Sequence, residues 1–203
     1  MKGNHMKTKN FLYIWLIATG LFLVGCNEGK ISTSDGNNNT QGLEKVAQNI
    51  DVESYKGLED VFSNSAKIES KDKPILIVFG RNNCAYCEKL KNDLKKDEGL
   101  RDLVSQNFKA YYINTSYSKV HEISFEDSSE ITSIDTDDLA RQYKLSGTPL
   151  SVWLEPNGDR ILSLQGYDRK HFRAMLDFIK DKKYASETDI NKRMELFTKS
   201  LIK

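Results

Sequence analysis

Cysteine and histidine are scarce in this sequence: three of each occur among 203 residues. The histidines, His5, His121 and His171, are scattered and form no His-x-His pair, so each reads as lying outside any metal site, His121 and His171 on the solvated surface. Neither sign of charge is in excess. Thirty basic residues face 29 acidic ones for a formal net of +1, with no Lys/Arg cluster or aromatic-basic platform, so nucleic acid is not an expected partner. There is no internal repeat. What remains is ordinary for one soluble domain with tails: 38% apolar, 29% charged and 10% aromatic residues.

The N-terminus departs from that pattern. Lys7 and Lys9 precede the uncharged apolar run "FLYIWLIATGLFLVGC", Phe11 to Cys26. A basic stretch followed by an apolar run of this length is the layout of a secretory signal, and Met6 is an alternative start. The run ends in Leu23-Val24-Gly25-Cys26, which resembles the lipobox of bacterial lipoproteins. The resemblance implies cleavage before Cys26 and lipidation of that cysteine, and hence an extracytoplasmic chain anchored to a bacterial membrane. An uncleaved anchor helix is the competing reading. Loss of residues 1–25 removes three lysines and no acid, leaving 27 of the 30 basic residues against 29 acidic ones, a net of −2. Asn27 to Gly42 is rich in Asn, Ser, Gly and Thr and reads as a flexible tether spanning 26–50.

From Leu43 to Ser70, apolar residues Leu58, Val61, Phe62 and Ala66 recur at near-helical spacing and predict a helix. Pro74 to Gly80, "PILIVFG", is a continuous β-branched run expected of a strand buried on both faces. Cys87, Leu90 and Leu94 mark one stripe of the next helix, with Lys89, Lys91, Lys95 and Lys96 on a solvated face. A second helix follows Gly99, then a strand over Lys109 to Thr115. Ser116 to Ser133 is polar and poorly periodic, expected as an irregular insertion with a short hairpin. Helix 135–145, strand 150–155, an Asn157-Gly158 hairpin, strand 160–166 and a helix capped by Asp168 complete the core. Ile190, Met194, Phe197 and Leu201 predict a terminal helix. The order implies parallel strands joined by helical crossovers with an antiparallel hairpin at one edge, an α/β fold.

Cys84 and Cys87 stand where the buried strand gives way to a helix. A redox dithiol, half a metal site and two buried thiols are the competing readings. A disulfide across three residues closes too small a loop to stabilise much, so a purely structural role is weak. Structural zinc needs four ligands that the histidines do not complete, and haem attachment needs histidine where Glu88 stands. A Cu(I)-binding or partner-binding module using the dithiol as ligands stays open. At a helix start, unpaired N–H groups stabilise a thiolate at the first cysteine, which makes Cys84 the nucleophile and the inner Cys87 the resolving group. Tyr86, between them, reads as a recognition and packing residue.

Two stretches, "PILIVFGRNNCAYCEKL" and, some sixty residues later, "LSGTPLSVWLEPNGDRI" followed by Gly166, resemble the thioredoxin-like superfamily. The likeness runs from about Ser54 to Lys182, and is nearest to extracytoplasmic members with an insertion before the third helix, including those associated with sulfur oxidation, and to the catalytic domain of periplasmic disulfide isomerases. It implies a thioredoxin fold, a mixed central sheet flanked by helices, occupying 51–203 with an extra helix near 188–202. It implies a thiol-disulfide oxidoreductase of the protein-disulfide reductase type, with Cys84 and Cys87 catalytic. A cis-proline at Pro149 and the backbone of Thr148 would receive substrate together with Tyr86. No cofactor is expected. The expected partners are a disulfide-bearing protein or small molecule, a membrane thiol electron donor, and the membrane itself through lipid on Cys26; a monomer is expected. Thioredoxin carries a buried acid where this chain has Val78, so the proton relay is unassigned, with Glu88 the nearest substitute. The isomerase's N-terminal dimerisation domain has no counterpart here.

Overall fold

The computed structural model describes residues 52–126 and 130–202, all within the unit Asn37–Lys203. The signal segment, Cys26, His5 and the tether lie outside the described residues.

Five strands build the central sheet: β1 (Phe62–Ser63), β3 (Ile75–Gly80), β4 (Lys109–Asn114), β7 (Leu150–Leu154) and β8 (Arg160–Gln165), in the order β1-β4-β3-β7-β8. β3 runs parallel to β4 and antiparallel to β7, and β7 turns back into β8 through Asn157-Gly158, where Gly158 takes φ +91°. The apolar run of β3 lacks alternation because both of its faces are covered. Leu76 and Val78 enter one core, while Ile75, Ile77 and Phe79 enter the other.

On the first face lie helices α1 (Ala85–Lys96), α2 (Glu98–Asn107), α4 (Arg169–Lys180) and α5 (Ile190–Ser200). They bury Leu90 and Leu94, Leu100 and Val104, Phe172 and Leu176, and Phe197. Each fully buried side chain of this size contributes about 1.5–3 kcal/mol. Asp97 caps α2 by accepting the Leu100 N–H at 3.0 Å and also meets Arg169, which ties α2 to α4. The Leu100 N–H first, and the Arg169 guanidinium next, hold its carboxyl below the usual carboxylate range. Asp168 caps α4 through the His171 N–H, as its position ahead of the apolar stripe implies.

The opposite face carries α3 (Thr136–Gln142) and a second sheet of β2 (Lys67–Glu69), β5 (Val120–Ser124) and β6 (Thr132–Asp135), in the order β2-β5-β6. Two expectations are corrected here. The helix expected up to Ser70 persists only at residues 52–54; beyond it Gly57 turns at φ +81° and the chain enters β1 and β2. Locally, Asn64 Oδ1 accepts the Ala66 N–H at 2.9 Å, a turn that competes with helix. Tertiary pairing then decides: Phe62 pairs with Ala110, and Tyr111 Oη bonds both the N–H and the carbonyl of Glu69. Burial pushes the Tyr111 phenol up to about 12, so it stays a neutral donor and acceptor.

The insertion contains the short hairpin expected of it, β5 and β6, which β2 extends in parallel. Its centre is His121, which is fully buried rather than solvated. Nδ1 sits 2.6 Å from the Ser65 carbonyl and therefore carries the proton, and Nε2 sits 3.0 Å from Thr136 Oγ1. One imidazole thus ties the approach to β2 to the first turn of α3. His121→Ala is expected to cost about 2–4 kcal/mol, through two lost hydrogen bonds and a cavity. A thermal melt reads this as a lowered Tm; an unchanged Tm would show that the ring bears no load.

Candidate active site

The two cysteines sit at the end of β3, across the three-residue loop 81–83, on the first turn of α1. Cys84 is the N-cap, and its Sγ accepts the Cys87 N–H at 3.2 Å. This is where unpaired helix N–H groups and the positive end of the dipole favour a sulfur anion. The two are joined as a disulfide with Cα atoms 5.2 Å apart. Cys84 keeps 6% of its surface exposed and Cys87 none, so approach is possible only at Cys84.

Facing this turn is the segment before β7, with a cis peptide at Thr148–Pro149. Cys84 Sγ lies 3.4 Å from the Thr148 carbonyl oxygen, which brings residues 64 positions apart into contact. Tyr86, expected partly to pack, projects its ring into solvent at 59% exposure. Glu88 is solvent-facing and paired with Lys91 at 2.7 Å, so it is turned away from the buried Cys87. Lys91, expected on the solvated face, is mostly covered: it donates to the Ser54 carbonyl at 2.8 Å and lies over the Tyr112 ring. No carboxylate is buried among the described residues, and Val78 is fully enclosed.

Several residues that hold the site escaped the sequence reading. Asn82 is clasped on three sides. Its N–H reaches Ser116 Oγ at 2.9 Å, its Nδ2 reaches Tyr117 Oη at 2.7 Å, and its Oδ1 accepts from Asn114 Nδ2 at 2.8 Å. Asn83 takes the left-handed conformation, φ +55°, which asparagine tolerates. Across the site, Gln165 Nε2 donates to the Gly147 carbonyl at 2.8 Å and pins the loop that carries the cis peptide. Asn114 and Gln165 are the last residues of β4 and β8. The readable signal was polar residues closing apolar strands, at the strand ends where α/β sheets place their sites.

A dithiol at the N-terminus of the helix after the central strand, opposite a cis-proline loop, defines a thiol-disulfide redox site on a thioredoxin fold. A family model and one similar solved structure agree. A family model described as a thioredoxin-like domain matches residues 62–180. A thioredoxin-fold protein from Helicobacter pylori shares 42% identity over 74% of this chain and 93% of its own, with a TM-score of 0.68. A thioredoxin from Thermus thermophilus aligns at 22% identity over 53% of this chain and 73% of its own, TM-score 0.39. No curated protein sequence matches. The chain belongs to the thioredoxin-like family.

Proposed function

We propose that this protein is an extracytoplasmic thiol-disulfide oxidoreductase, anchored to a bacterial membrane through lipid on Cys26, that reduces disulfides in proteins or small molecules. The observation that carries the reading is the asymmetry of the pair: Cys84 at the helix N-cap with its sulfur at the surface, Cys87 enclosed behind it. In the dithiol form, Cys84 thiolate attacks one sulfur of the substrate disulfide and expels the other as thiolate. Cys87, as thiolate, then attacks Cys84 Sγ and releases the second substrate sulfur. Two electrons and two protons reach the substrate, and the chain is left with the Cys84–Cys87 disulfide. A membrane thiol donor restores the dithiol. Thr148, beside Pro149, offers its backbone to an extended substrate segment, and the exposed Tyr86 ring contacts that segment's side chains.

The deciding measurement is the reduction potential of the detergent-solubilised full chain, alongside insulin-disulfide reduction. A potential at or below about −250 mV with activity supports a reductase; about −120 mV indicates an oxidase and overturns the direction. Retention of wild type in the membrane fraction and release of Cys26→Ala tests the anchor.

A further inference from the structure

The enclosed environment of Cys87 poses a problem that the fold answers with an unexpected residue. To resolve a mixed disulfide, Cys87 must become a thiolate, and an anion in an apolar core is unfavourable without a hydrogen-bond donor. The carboxylates nearby do not provide one: Glu88 is turned outward to Lys91, and the strand beneath the dithiol presents Val78. On that face, beside Tyr112 and Trp153, stands a small hydroxyl side chain. Ser151 is fully buried, and its hydroxyl has no hydrogen-bond partner. Orphaned buried hydroxyls are uncommon, because the lost hydration is not recovered.

Register places it. Ser151 pairs directly with Val78 across β3 and β7, and with Leu164 across β7 and β8. It alternates with Leu150 and Val152, which enter the α3-side core, and shares parity with Trp153, which enters the core beneath α1. Its side chain therefore stands on the face that α1 covers. It is the second residue of β7, three positions after Thr148, whose carbonyl lies 3.4 Å from Cys84 Sγ. Cys87 heads the buried stripe Cys87, Leu90, Leu94 of α1. These relations put the hydroxyl under the first turn of α1, at the dithiol end of the sheet. Trp153 Nε1 is also without a partner on this face, but it lies two residues further along β7, away from the dithiol.

We infer that Ser151 is the positioning residue for Cys87, its hydroxyl donating a hydrogen bond to the Cys87 sulfur once the disulfide opens. In the oxidised chain Cys87 has no thiol or thiolate to receive that bond, which accounts for the hydroxyl standing unpaired there. In the reduced chain Ser151 O–H stabilises the Cys87 thiolate and orients it toward Cys84 Sγ. Serine gains and loses no net proton in the exchange. The inference rests on the dithiol chemistry proposed above, not on the direction of electron flow or the substrate.

The test is a redox comparison of full-length Ser151→Ala and wild type, equilibrated with glutathione. A hydrogen bond made only in the reduced form favours that form. Its removal is expected to make the dithiol about fivefold more reducing, a shift of about 20 mV to more negative potential. Melting of each redox form supplies the second reading: Ser151→Ala lowers the Tm of the reduced chain and leaves that of the oxidised chain unchanged or raised. Ser151→Thr, which keeps the hydroxyl, holds the wild-type potential, since any packing penalty common to both forms cancels. An unchanged or less negative potential for Ser151→Ala, or equal Tm shifts in both forms, overturns the assignment. Both readouts follow the couple itself, so they remain informative even if insulin is not reduced.

Discussion

Cys87→Ser is expected to lose turnover by about 10³-fold or more while still capturing substrate as a stable mixed disulfide. Cys84 retains its place at the helix N-cap in this variant and can attack. Without the second sulfur nothing expels the substrate, so the adduct accumulates. Cys84→Ser is expected to lose both turnover and adduct, because Cys87 is fully enclosed and a disulfide cannot approach it. Incubation with an oxidised substrate such as insulin, followed by non-reducing electrophoresis and mass spectrometry, separates the two. Adduct on Cys84→Ser but not on Cys87→Ser would reverse the roles. Near-wild-type turnover by either variant would remove the dithiol mechanism altogether.

Gly80→Ala is expected to be the most damaging conservative substitution among the residues beside the site. A Cβ at Gly80 would stand 1.9 Å from Tyr112 Oη and 2.4 Å from Cζ, with no side-chain freedom to relieve it. The Tyr112 ring is 1% exposed, packed edge-on against Phe62 at 5.7 Å and covered by Lys91. Gly80 is also held from behind, its carbonyl accepting from Thr115 N–H at 2.8 Å and Thr115 Oγ1 at 2.9 Å. Neither side can give way cheaply, so overpacking should cost about 3 kcal/mol, or about 10 °C in Tm. Part of the displacement should enter the loop 81–83 and reduce dithiol activity as well. Tyr112→Phe removes the nearest clashing atom, so the double variant should recover part of the loss. A double-mutant cycle with no coupling would show that the ring is not what excludes the Cβ.

Asn82 and His121 show why a site of this kind is only half readable in one dimension. Asn82 is visible as a neighbour of Cys84, yet its three partners come from Asn114, Ser116 and Tyr117, the far end of β4 and the start of the insertion. The insertion therefore has a part in holding the redox loop, which its polar, aperiodic sequence gives no sign of. His121 misled for the same reason. A histidine among polar residues reads as surface, and it is the approach to β2 and the first turn of α3, brought to either side of the ring, that enclose it.

What the sequence determined by itself was whatever depends on neighbouring residues. The β-branched run of β3, the acid cap Asp168, the Asn157-Gly158 turn and the position of Cys84 at a helix start are local chemistry. Each follows from backbone preference, periodicity or helix electrostatics over a few residues. The tertiary structure decided what depends on who lies opposite. It turned the helical spacing around Phe62 into strands by pairing β1 with β4 and β2 with β5, buried His121, and turned Glu88 away from Cys87 toward Lys91. It set Thr148 against Cys84, and placed the unpaired Ser151 beneath the dithiol. Burial and partner choice are long-range quantities: the same serine would be an unremarked strand residue if β7 met another neighbour than Val78.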